Sequence, residues 1–195
     1  MSLTPQDAAK HLLKLRNAEE NFLGYVKMQY PNWELPDFHL KMIDALDRLE
    51  KNTLTSHFGL DESQRRRTEK VNVRNLLITM PPRHGKSTYG SVIFPSYFMA
   101  KKPTRFMMST SYNSQLATDF GRQVRDLSNE PTTSQIFPDF EMSADSRAVD
   151  QWRTTSGGAA YFIGVGGTTS GRAANLLLLD DPLKSREEAE SATQR

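Results

Sequence analysis

The chain has 195 residues, of which 37% are hydrophobic, and its 25 basic and 23 acidic side chains leave a net charge of +2. That length suits one domain with a sizeable core, and the near-balanced charge neither demands a nucleic-acid partner nor excludes a local basic patch. With no cysteine, disulfides and thiolate metal sites are excluded.

His11, His39, His57 and His84 show no metal-ligand spacing. The opening MSLTPQDAAKHLLKLRNAEE has no apolar signal core, and no run approaches the ~20 apolar residues of a membrane span. A soluble protein of a reducing compartment, with no membrane partner, is the expectation.

Residues 5–20 read as a helix with Ala8, Leu12, Leu15 and Ala18 on one face. A proline-punctuated aromatic segment, YPNWELPDF, leads into a second helix on which Leu40, Ile43, Leu46 and Leu49 recur every three residues. HFGLDESQRRRTEKVNVR is polar, and Arg65, Arg66 and Arg67 read as a solvated connection rather than a DNA contact. VNVRNLLITM predicts a first strand, and STYGSVIFPSYFMA a helix that Pro95 kinks or ends. TRFMMST predicts a second strand. Leu116, Phe120, Val124 and Leu127 then mark another helix, while AAYFIGVGG and NLLLLDDP predict two further strands. Strands alternating with helices imply an α/β fold, a largely parallel sheet flanked by helices.

The chemistry starts at MPPRHGKSTYG, residues 80–90. Gly85, Lys86 and Ser87 fill the last three places of the phosphate-loop pattern G-x-x-x-x-G-K-[ST], but Met80 stands at its first glycine. Gly85 lets backbone approach phosphate oxygens. Lys86 offers a point charge, and Ser87 a hydroxyl for Mg²⁺. The helix that follows, from Ser87 onward, presents unpaired N–H groups and the positive end of its dipole. Pro81 and Pro82 lack an N–H, so backbone donors begin at Arg83 and continue through His84.

A second feature strengthens this reading. Four leucines run into Asp180 and Asp181, and ligands of open parallel sheets sit beyond the carboxyl ends of strands. An acid there suits Mg²⁺, which takes few protein carboxylates alongside phosphates and water. Alone, Asp181-Pro182 reads as a turn; with Lys86 it completes the phosphate and metal elements of an ATPase. Arg172, just upstream, has the chemistry to stabilise charge on a γ-phosphate. The stretch GVGGTTSGR fails the dinucleotide fingerprint because Thr169 replaces its third glycine. Asp119-Phe120-Gly121 matches a kinase tripeptide without the other kinase motifs, so Phe120 reads as core.

Four stretches in order, LPDFHLKMIDALDRLE, MPPRHGKS, STSYNSQLATDFGRQVRDL and GVGGTTSGRAANLLLLDDPLKSREEAES, resemble the ATPase part of the large terminase subunit of tailed bacteriophages. The resemblance spans roughly 36–195, and that family's phosphate loop tolerates a missing first glycine and carries an arginine before Gly-Lys-Ser. It implies a P-loop NTPase core over 61–195, preceded by a helical segment over 1–60. The implied activity is ATP hydrolysis driving double-stranded DNA into a procapsid, in the host bacterial cytoplasm. Implied partners are the portal protein, the small terminase subunit and further copies of the chain in a ring.

Carried over residue by residue, Arg83, His84, Gly85, Lys86, Ser87 and Thr88 would bind ATP, and Ser87 and Asp180 would hold Mg²⁺. Arg83 would assist at the phosphates, and Arg172 would reach a neighbouring subunit's nucleotide. Many members carry a glutamate where Asp181 stands, so the catalytic carboxylate is Asp181, Glu187 or Glu188. The family's downstream coupling motif and nuclease domain are not visible, which predicts an incomplete core, no nuclease activity and weak ATP turnover. Another DNA translocase or helicase, and a catalytically silent remnant, are the alternatives.

Overall fold

The computed structural model describes residues 4–55, 73–167 and 171–182. It divides into two compact units, Met1–Lys86 and Ser87–Arg195. The arginine run 65–67 lies outside the described residues.

The first unit contains three helices, α1 (Pro5–Glu20), α2 (Phe22–Gln29) and α3 (Asp37–Glu50). Thr4 caps α1 by accepting from the Asp7 N–H, with Pro5 in the first turn. Asn21 terminates α1 with extended backbone and caps α2, its Oδ1 accepting the Gly24 N–H at 2.7 Å. Asp47 of α3 takes the Phe22 N–H at 2.8 Å, so a side chain supplies what the head of α2 lacks. Ala18, Phe22, Tyr25, Val26, Ile43 and Leu46 form the buried interior. The expected apolar face of α1 is only partly used: Ala18 is buried, but Leu12 is 65% exposed. The 8-residue α2 is too short to cover the 16-residue α1 that packs on it.

Among its described residues the predicted first strand is not formed. Residues 73–80 carry no strand assignment and Leu77 is 76% exposed. An apolar run specifies an extended chain; a strand also needs a neighbour for its N–H and C=O groups.

The second unit runs α4 (Thr88–Ile93), α5 (Phe94–Lys101), β1 (Phe106–Ser111), α6 (Ser114–Ser128), α7 (Pro131–Ile136), β2 (Met142–Arg147), β3 (Gln151–Thr154), β4 (Ala159–Gly164) and β5 (Leu176–Leu179). The strands form one sheet in the order β2-β3-β4-β1-β5. β4, β1 and β5 are parallel, whereas β2 and β3 add an antiparallel pair at one edge. The sheet is therefore mixed rather than largely parallel. MSADSR of β2 lacks the apolar alternation by which a strand is read, so its pairing comes from tertiary contact.

Pro95 does not end the helical segment, which continues from Thr88–Ile93 into Phe94–Lys101. α4 is wound as a π-helix, with the Phe94 N–H donating to the Tyr89 carbonyl five residues back. The proline then falls in the first turn of α5, where a missing N–H is tolerated.

One face of the sheet presents Met107, Ser109, Ala160, Phe162 and Leu176, all buried. α6 packs on this face across β4 and β1. Leu116 is half-buried, while Phe120, Val124 and Leu127 are core residues, so the kinase-like tripeptide is structural. Gly121 permits the approach: a Cβ there would lie 2.0 Å from the Val149 carbonyl oxygen and 2.9 Å from the Phe162 ring. The opposite face carries Met108, Tyr161, Leu177 and Leu179, the last two 56% and 64% exposed.

Gly121→Ala is expected to destabilise the chain by about 1–3 kcal/mol through overpacking. Gly90→Ala, where a Cβ meets nothing within 4 Å, is expected to leave stability equal or raised. Urea unfolding of both variants checks the contrast.

Candidate functional site

The first unit supplies the loop. Pro81 to His84 are exposed, and Gly85 and Lys86 half-buried. Arg83 and Gly85 have positive φ, 64° and 79°, with His84 between them. Left-handed residues of this kind recur in the backbone nests that present N–H groups to anions. For Gly85 that conformation costs little; for Arg83 it is a strained one that surrounding structure must hold.

Two histidines do part of that holding. His84 Nδ1 donates to the Pro82 carbonyl at 2.8 Å, and His39 Nε2 donates to the His84 carbonyl at 2.9 Å. His39 sits in the first turn of α3, and the neighbouring Phe38 ring lies 4.3 Å from the His39 ring and 5.9 Å from that of His84. α3 thus braces the loop from 45 residues upstream. His39 is not legible in this role from the sequence, since no local pattern announces a brace 45 residues away.

The second unit, taken by itself, holds the hydroxyl residues and the strand-end acid. Ser87 precedes α4, and Thr88, its first residue, is exposed. Ser91, buried in α4, donates from Oγ to Asp180 Oδ2 at 2.7 Å across 89 residues of sequence. Asp180 is 6% exposed and lies just beyond β5, its N–H bonded to the Thr110 carbonyl at 3.0 Å. The next residue, Asp181, is exposed with φ 47°, and its carbonyl accepts the Tyr112 N–H at 3.1 Å. A left-handed residue at that point turns the chain sharply out of the strand, which Asp tolerates better than most residues.

Ser91 is likewise not legible from the sequence, since a serine inside an apolar helical run reads as incidental. Other residues are not gathered here. The Arg172 guanidinium stacks 4.4 Å from the Tyr161 ring centroid, on the sheet face opposite the α4 side. Glu187 and Glu188 lie outside the described residues, as does Thr169. Among the described residues no three His, Cys, Asp or Glu side chains cluster as metal ligands, and no helix is long and apolar enough to cross a membrane.

Together these features define an α/β protein in which the helix following a Gly-Lys-Ser loop is hydrogen-bonded to the acid at the carboxyl end of a parallel strand. The chain belongs to the terminase large subunit family: residues 77–195 match the N-terminal model of the T4likevirus-type terminase large subunit. No curated relative and no solved structure matches the chain.

His39→Ala is expected to loosen the loop and speed tryptic cleavage after Arg83 several-fold, whereas His39→Gln, which keeps a donor, stays closer to wild type. Mass spectrometry of a brief digest reads the difference.

Proposed function

We propose that the chain is the ATP-binding and hydrolysing portion of a viral DNA-packaging motor, with the topology of a P-loop NTPase core. The observation that carries this reading is the Ser91–Asp180 hydrogen bond. It joins the helix opened by the phosphate motif to the acidic strand end, two features that lie far apart in sequence. Membership of the terminase large subunit family supports the same conclusion.

In this reading the nest at Arg83 to Gly85 and the first N–H groups of the helix, through Thr88, receive phosphate oxygens. Lys86 adds an ammonium charge, and Arg83 a guanidinium charge, at the loop. The donor set fits magnesium rather than a softer metal, being the hydroxyl of Ser87 and the buried carboxylate of Asp180, both hard oxygen donors. Bound magnesium would neutralise charge developing on the β- and γ-phosphates.

Asp181, exposed beside Asp180, is proposed to orient an attacking water, with Glu187 and Glu188 as alternatives. Arg172, on the other face of the sheet, is proposed to serve a neighbouring copy's nucleotide in a ring. Double-stranded DNA, the portal protein and the small terminase subunit follow as partners from the family.

Mg²⁺-dependent binding of a fluorescent ATP analogue is the expected result for the chain. Lys86→Ala is expected to weaken it about tenfold or more, equal to about 1.4 kcal/mol. Asp180→Asn is expected to remove the dependence on Mg²⁺. Absence of binding in wild type and variants alike would favour a catalytically silent remnant.

A further inference from the structure

Residues 91–100, SVIFPSYFMA, are buried without interruption, and Ser91 and Ser96 are the only non-aromatic polar residues among them. A hydroxyl placed in such surroundings needs a partner, and each serine has one of a different kind. Ser96 Oγ accepts from Ser128 Oγ at 3.0 Å, a bond between two helices. Ser91 Oγ instead donates to Asp180 Oδ2 at 2.7 Å, with both groups buried. The Ser96 pair can only hold helices together. The Ser91 pair also restricts rotation of a carboxylate about its Cβ–Cγ bond and assigns one lone pair of Oδ2 to a fixed donor.

Backbone geometry adds to this restraint. Asp180 is anchored through its N–H to the Thr110 carbonyl, while the turn at Asp181 is held by the Tyr112 N–H. Ser91 lies within the π-wound segment Thr88–Ile93, which sets its angular position about the helix axis. π-wound turns are frequent at functional sites.

We infer that Ser91 is a positioning residue for Asp180, holding its carboxylate in the orientation that receives the magnesium ion of the bound nucleotide. This rests on Asp180 being the magnesium-binding acid. Ser91 touches neither nucleotide nor metal in this role; it acts through the carboxylate, as partners of metal ligands commonly do.

The test is a Mg²⁺ titration of fluorescent ATP-analogue binding, run on wild type, Ser91→Ala, Ser91→Thr and Ser96→Ala, with nucleotide affinity in EDTA measured alongside. Ser91→Ala is expected to raise the Mg²⁺ half-saturation concentration about tenfold and leave the metal-free affinity within about twofold. Ser91→Thr, which retains the hydroxyl, is expected to recover most of the loss. Ser96→Ala, which loses a buried hydrogen bond of the adjoining helix α5, is expected to leave the Mg²⁺ dependence unchanged. Equal shifts in Ser91→Ala and Ser96→Ala would reduce Ser91 to a structural contact and overturn the inference, as would an unshifted Ser91→Ala. Wild-type chain without Mg²⁺-dependent binding would overturn the nucleotide reading itself, and this inference with it.

Discussion

A buried hydroxyl–carboxylate bond is the constraint around which the second unit is organised. Ser91 and Asp180 come from elements at opposite ends of that unit's sequence, and neither could be buried cheaply without the other. Removing one partner would leave the other unsatisfied, at a cost of about 1–3 kcal/mol. The bond therefore demands that α4 lie beside the carboxyl end of β5 and that β5 be paired with β1. The π winding of α4, the placement of Pro95 in the following turn and the sharp exit at Asp181 are all compatible with that demand.

The sheet meets it through its parallel part. β4, β1 and β5 point the same way, which brings Gly164, Ser111 and Asp180 to one end, where ligands of open α/β sheets collect. Gly164 is part of this arrangement, since a Cβ there would lie 2.4 Å from the Ser114 nitrogen at the head of α6. The antiparallel pair β2 and β3 lies at the far edge, beyond β4. Its contribution is structural: Trp152 is fully buried and Thr154 bonds within the turn to Gly158.

In the first unit the Gly-Lys-Ser loop is built without the first glycine of the phosphate-loop pattern. Two prolines remove donors and restrict the lead-in, while Arg83 accepts a backbone conformation that glycine would adopt at no cost. Side chains from α3 help to hold that conformation, through His39 on the His84 carbonyl and the Phe38 ring beside both imidazoles. Departure from the motif is thus accompanied by a non-local brace.

What the amino-acid sequence determined by itself was local. Apolar periodicity in α3 and α6 and the apolar runs of β1, β4 and β5 depend on neighbours a few residues away, so they were legible. So were the Gly-Lys-Ser triplet and the acid after the leucines, because their chemistry lies in residue type and order. Tertiary structure decided the rest: whether residues 73–80 find a ladder, that polar β2 joins one, that Leu12 stays uncovered, and which buried serine meets Asp180. Those outcomes depend on contacts across tens of residues, such as the 45 between His39 and His84 and the 89 between Ser91 and Asp180. Hydrogen-bond partners and packing surfaces at such separations exist only once the chain has closed on itself.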